Sequence, residues 1–174
     1  GDLFGLTIDD GIAAGDGGLT GALTLSMGAE LRPGDSALTD DIGTFHSGDL
    51  SLELGSLLTI DLDPTLGLAD LLDADGSVSL LGMLELNLLG APTAGQSFQI
   101  LDNDFTDSVF GLFANSANLS ANFQGQNYRF AIDYAAGTGN DVFLTSLSAV
   151  PEPGAWVVIA LASLGISTRR RRRC

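Results

Sequence analysis

The chain of 174 residues has no lysine, one cysteine, one histidine and one tryptophan. Without lysine, its cations are seven arginines, and Arg169 to Arg173 account for five of them. Residues 1–150 therefore set 21 acidic side chains against Arg32 and Arg129, a net charge of −19. Nucleic-acid binding needs cationic side chains to replace phosphate counterions, so no nucleic-acid partner is expected. An anionic lipid surface repels such a body as well. Cations, neutral polysaccharide and basic proteins are the partners that this charge allows. Solubility alone also accounts for it, because acidic surfaces resist aggregation. Cys174 is the single cysteine, so the chain has no internal disulfide and its body must be held by packing and hydrogen bonds.

Long helical periods are absent before residue 150, and 23 glycines interrupt the chain. Short alternating runs take their place. Leu23 to Met27, Leu50 to Leu54, Leu58 to Leu62 and Leu84 to Leu88 each read in-out-in-out-in. Period-two alternation puts leucines on one face and polar residues on the other, as a half-buried strand requires. The runs also repeat. Gly28, Gly55 and Gly82 are evenly spaced, and Gly21 with Gly48, Leu23 with Leu50, and Leu25 with Leu52 share that spacing. A fixed period of about 27 residues predicts stacked coils of two or three strands each, with glycines at tight corners. Arg32-Pro33-Gly34-Asp35-Ser36 reads as a corner loop. After a break at Ala91-Pro92-Thr93-Ala94-Gly95, aromatic residues concentrate from Phe98 to Phe143. Bulkier side chains suit a cap over the open end of a coil stack. Cap strands are expected near 97–101, 127–134 and 141–145.

The phrases Leu23-Thr24-Leu25, Gly28 to Ser36 and Gly48 to Ser56 resemble autotransporter-associated β-strand repeats. The similarity extends through Gly76 to Leu80 and into Gly95 to Asn103 and Gly137 to Thr145. It implies a right-handed parallel β-helix of the kind found in surface passenger proteins. The expected fold is thus all-β: β-solenoid coils over 1–90, a β cap over 91–148, and one short transmembrane helix after it.

Residues 150–174 have their own grammar. Val150-Pro151-Glu152-Pro153 breaks regular structure. Residues 154–168 carry no charge, and Arg169, Arg170, Arg171, Arg172 and Arg173 follow. Five arginines favour the cytoplasmic side of a membrane, which puts the body on the other side. As helix the uncharged segment spans about 22 Å at ~1.5 Å per residue. A hydrocarbon core is about 30 Å thick, so snorkelling arginines and local thinning must supply the difference. The order of motif, apolar segment and basic end resembles a PEP-CTERM sorting signal, here over 149–174. That resemblance implies recognition near Pro151-Glu152-Pro153 by an exosortase, a membrane-embedded transpeptidase-like enzyme. It also implies export, transient anchoring in the inner membrane, and delivery to the cell surface or extracellular matrix. An exported chain needs a signal peptide, and none is visible after Gly1, so sequence upstream of Gly1 is expected.

Catalytic signals are weak. His46 lies in a glycine-flanked turn, and aspartates and serines are too abundant for a neighbour to mean much. Asp61 with Asp63, Asp40 with Asp41, and Asp73 with Asp75 are close carboxylate pairs of the kind that hydrolyse sugars, but 21 acidic residues produce such pairs by chance. Asn118-Leu119-Ser120 matches a glycosylation pattern, which carries little meaning in the bacterial setting that the PEP-CTERM resemblance implies. Gly137 to Leu144 resembles one copy of a nonapeptide calcium repeat, with Ala136 in place of its first glycine. Asp102-Asn103-Asp104 and Asp107 form a second oxygen-rich group. Asp141, Asn140, Asp102 and Asp104 are the candidate ligands, and calcium is the cofactor they suit. Read as structure, the same residues form a glycine turn into a final strand. No enzyme activity is expected. The chain reads as an exported surface or matrix protein linked to exopolysaccharide or biofilm assembly, with extracellular polysaccharide among its partners. The alternatives are the scaffold of a larger adhesin or a carbohydrate-active β-helix.

Overall fold

The computed structural model describes residues 5–34, 42–104 and 106–147. The whole expected tail, from Val150 to Arg173, lies outside these residues, as do Asp35, Ser36, Asp40, Asp41 and Phe105. Among the described residues no helix is long and apolar enough to cross a membrane. The expected span at 154–168 is not among them.

The first coil contains β1 (Leu6–Ile8), β2 (Gly11–Gly15) and β3 (Gly17–Gly18). The second contains β4 (Leu23–Leu25), β5 (Ala29–Pro33) and β6 (Thr44–Ser47). The third contains β7 (Leu50–Leu52), β8 (Leu57–Asp63), the short β9 (Leu68–Ala69) and β10 (Leu71–Ala74). The fourth contains β11 (Val78–Leu80), β12 (Met83–Leu88) and β13 (Ser97–Asn103). Then come β14 (Phe110–Gly111), β15 (Ser120–Phe123), β16 (Gln126–Ala136) and β17 (Asp141–Ser146). Like strands of successive coils pair in parallel, so the chain is an all-β solenoid with three faces. One face is β1-β4-β7-β11-β14, the second β2-β5-β8-β12, and the third begins β3-β6-β10-β13.

The alternating runs explain the core. Leu23 and Leu25, then Leu50 and Leu52, then Val78 and Leu80, point inward from the first face. Leu31, Leu58, Ile60, Leu62 and Leu84 fill the space behind the second face, and Leu72, Ala74, Phe98 and Ile100 line the third. The expected period holds where Leu23 stacks on Leu50 and Leu25 on Leu52. It also holds at one glycine corner, where Gly28 (φ +94°) and Gly55 (φ +89°) both take the left-handed backbone that glycine allows.

Two sequence expectations fail at that corner. The alternation predicts Met27 and Leu54 pointing inward, yet they are 75% and 72% exposed. The strands stop at Leu25 and Leu52, and the alternation does not survive the turn. Gly82 is not the third member of the glycine set either. Val78 stacks on Leu50, one place beyond the period, and Met83 stacks on Leu57, one place short of it. The cause is the corner itself. Residues 53–56 separate the two strands in the third coil, whereas only Leu81 and Gly82 separate them in the fourth.

The solenoid closes at its C-terminal end. β13 pairs in parallel with β10 on one side and antiparallel with β17 on the other, and β16 and β15 continue the antiparallel sheet. An antiparallel hairpin thus covers an edge that a further coil would otherwise occupy. Phe113, Leu119, Phe130, Val142 and Leu144 bury under it. The phenol of Tyr134 accepts a hydrogen bond from the Phe113 amide at 3.1 Å, and the two rings lie 6.2 Å apart. Asn115 caps part of the β12 edge: its side-chain oxygen accepts from the Leu84 amide and its NH2 donates to the Leu84 carbonyl. The strands expected near 97–101, 127–134 and 141–145 appear as β13, β16 and β17, slightly longer.

Candidate functional site

The third face collects most of the chain's candidate chemistry. Parallel register puts Gly18, His46, Asp73 and Asp102 in one outward row across β3, β6, β10 and β13. One step further along the strands, Asp75 follows Ala74 and Asp104 follows Asn103, and Ala74 pairs with Asn103. Neighbouring parallel strands lie about 4.8 Å apart, so equivalent carboxylates on adjacent coils become close neighbours. Asp73, Asp75 and Asp104 each bring one oxygen within 4.8 Å of the others. Burial pushes the Asp102 carboxyl above its ordinary range, and the charges of Asp141, Asp104 and Asp73 add to the shift.

Of the expected ligands, Asp104 alone belongs to this group, and Asp102 pairs in register with Asp73 beside it. Asn140 and Asp141 meet the end of β13, where Asn140 donates its side-chain NH2 to the Asn103 carbonyl at 2.8 Å and Asp141 accepts from the Asn103 amide at 3.2 Å. The second Asp141 oxygen accepts from the Thr138 amide, and the Thr138 hydroxyl donates to the Asn140 side chain at 2.6 Å. Asp141 and Asn140 are nearly fully buried. They pin the Gly137–Gly139 turn against β13, which is the structural role weighed for them. Beside them lies an open hollow of about 330 Å³, lined by Asp104, Thr106, Thr138, Gly139 and Asn140. The exposed carboxylates of Asp75 and Asp104, with half-buried Asp73, form an all-oxygen set of the type that hard divalent cations accept. Read along the chain, Asp73 and Asp75 are only a chance pair. The signal that could mark them is a repeated Asp-x-Asp, Asp73-Ala74-Asp75 and Asp102-Asn103-Asp104.

The candidate catalytic residues have other engagements. His46 Nδ1 lies 2.7 Å from Asp73 Oδ2 on the exposed face, and the aligned residue on the other side is Gly18, which brings no hydroxyl. Asp63 accepts from the amides of Thr65 and Leu66 and so caps the turn between β8 and β9. Asp61 accepts from the Asn87 side chain at 3.0 Å. Asp70 is buried, accepting from the Gly43 amide at 2.9 Å and the Asp61 amide at 2.8 Å.

The remaining candidate lies in the tail sequence. Residues 149–173 match the PEP-CTERM protein-sorting motif. The match covers Val150 to Pro153, the apolar segment and all five terminal arginines. A PEP-CTERM motif suggests export, transient membrane anchoring and processing through an exosortase-type system. No curated protein matches the chain. The body is thus described by its fold, a β-solenoid, and the tail by its motif.

Proposed function

We propose that this chain is a non-enzymatic exported protein whose acidic β-solenoid is delivered to the cell surface or extracellular matrix by its PEP-CTERM tail. The observation that carries the proposal is the motif match at 149–173. The apolar segment enters the inner membrane, and Arg169 to Arg173 hold its end on the cytoplasmic side. An exosortase-type enzyme acts near Pro151-Glu152-Pro153 and frees the body. The solenoid's regular faces suit presentation and spacing, in the manner of passenger-type β-helices, and its charge suits a hydrated polysaccharide matrix in exopolysaccharide or biofilm assembly. Expressing the chain with and without residues 150–174 in a host that contains such an enzyme tests this. The truncated chain is expected to be missing from the processed surface pool, and unchanged localisation would sink the sorting role.

The acidic third face supports a second reading, calcium binding by Asp73, Asp75 and Asp104 with Asp102 beside them. The supporting observation is the convergence of the two Asp-x-Asp units on adjacent coils. Millimolar calcium is expected to raise the melting temperature by a few degrees, as binding to the native state alone requires. Asp104→Asn should lose most of that rise. An equal rise in the variant, or no rise in either protein, would contradict the assignment.

A further inference from the structure

The corner between the first and second faces carries an apolar ridge. Met27, Leu54 and Leu81 all lie at this corner, on three successive coils, and all three are exposed. The Met27 side chain reaches the corner of the next coil and lies over Gly55, where an added Cβ would come within 2.7 Å of its Cγ. Leu81 leans over Gly111 in the same way, at 3.0 Å. Met83, Phe110 and Leu112 flank the upper end and are 48%, 71% and 56% exposed. Glu53 is the charged side chain inside the ridge, and Asp9 and Asp10 close its lower end.

The geometry points to this ridge as a docking surface for a second copy of the same chain. Side chains of this size carry roughly 150–200 Å² each, so these six present about 600 Å², the top of the range for the largest patch on a monomer. Two ridges laid together and fully covered would bury at most about 1,200 Å² in total, the lower edge of the size of a specific interface. Pitch supplies the second argument. Coils stack about every 4.8 Å, so another solenoid of the same kind offers a matching pitch along its length. A two-fold contact uses the same patch on both partners and puts Leu54 and Leu81, the middle of the ridge, near the axis. Charge argues against an anionic lipid surface as occupant, since the body repels one. Between two copies the same charge acts as a rim repulsion that salt screens, so association should tighten as salt rises. This inference does not depend on the sorting role of the tail.

Disulfide trapping in the full-length chain tests it. Cys174→Ser removes the native thiol, and Leu54→Cys then places a single thiol in the middle of the ridge. Leu66→Cys, equally exposed on the β8–β9 turn away from the ridge, is the control. Under mild oxidation of the purified protein, Leu54→Cys is expected to form at least fivefold more disulfide-linked homodimer than Leu66→Cys, and more at 0.5 M than at 0.15 M salt. Adding Met27→Glu should abolish that excess without moving the melting temperature. Equal trapping at both positions would overturn the proposal, as would no dimer at Leu54→Cys in a chain that melts normally. Dimer that weakens with salt would equally count against an apolar contact.

Discussion

Leu52→Ala is expected to lower the unfolding free energy by about 2–5 kcal/mol, and Leu54→Ala to change it by less than about 0.5 kcal/mol. Leu52 and Leu54 belong to one alternating run, and by sequence period they are equivalent. In the fold they are not. Leu52 is fully buried and sits in register between Leu25 of the coil below and Leu80 of the coil above. Truncating it opens a cavity bounded by two coils, neither of which can collapse without breaking its own parallel pairing. Leu54 has already turned the corner and points to solvent. A loss of this size is a large part of the roughly 5–15 kcal/mol that holds a typical domain. Urea unfolding of both variants decides the matter: similar losses at both positions would mean that the run continues inward through Leu54.

The second large effect is a dependence of stability on pH. Burial pushes the Asp70 carboxyl up to about 7, with the charges of Asp61 and Asp16 adding to the shift and the Gly43 and Asp61 amides opposing it. In the unfolded chain an aspartate titrates near 3.9. The folded state therefore holds this proton more tightly than the unfolded state. The resulting stability is fully present below pH ~4 and is lost as pH rises through about 7. Its size is on the order of 3 kcal/mol, with some allowance for screening. Asp102 shifts in the same direction for related reasons, while Glu30 shifts downward, where hydrogen bonds from Arg32 and Thr59 outweigh its burial. The protein should thus melt at a higher temperature at pH 5 than at pH 8. Asp70→Asn should flatten that slope, and exposed Asp10→Asn, which removes the same charge, should leave most of it. An unchanged slope in Asp70→Asn would show that this carboxyl is not its source.

Much of this architecture could be read from the sequence because a solenoid repeats the same local problem. Leu23 and Leu25 recur as Leu50 and Leu52 because each coil must fill the same core with the same side chains. The tail could be read because its grammar depends on order and composition. What escaped depends on corners. The turn after Leu80 is shorter than the turn after Leu52, so the step between coils lengthens before the corner and shortens after it. Counting along the chain cannot show that. The same blindness hid the acidic ladder. Asp73 and Asp102 become neighbours only once β10 and β13 are in register, at a spacing that the repeat period does not suggest. Asn140 and Asp141 stand out by their resemblance to a calcium repeat, and their bonds to Asn103 show how strongly they also serve the turn.

The central claim is that the motif at 149–173 directs processing and that the solenoid is what arrives. The intact mass of the protein recovered from the cell surface tests it most directly, in cells with and without the exosortase-type enzyme. With the enzyme, the mass should correspond to a chain ending near Pro151-Glu152-Pro153 and lacking Arg169 to Cys174. Without it, the chain should remain with the membrane and retain its arginines. A surface form that carries the full tail in both cells would contradict the account.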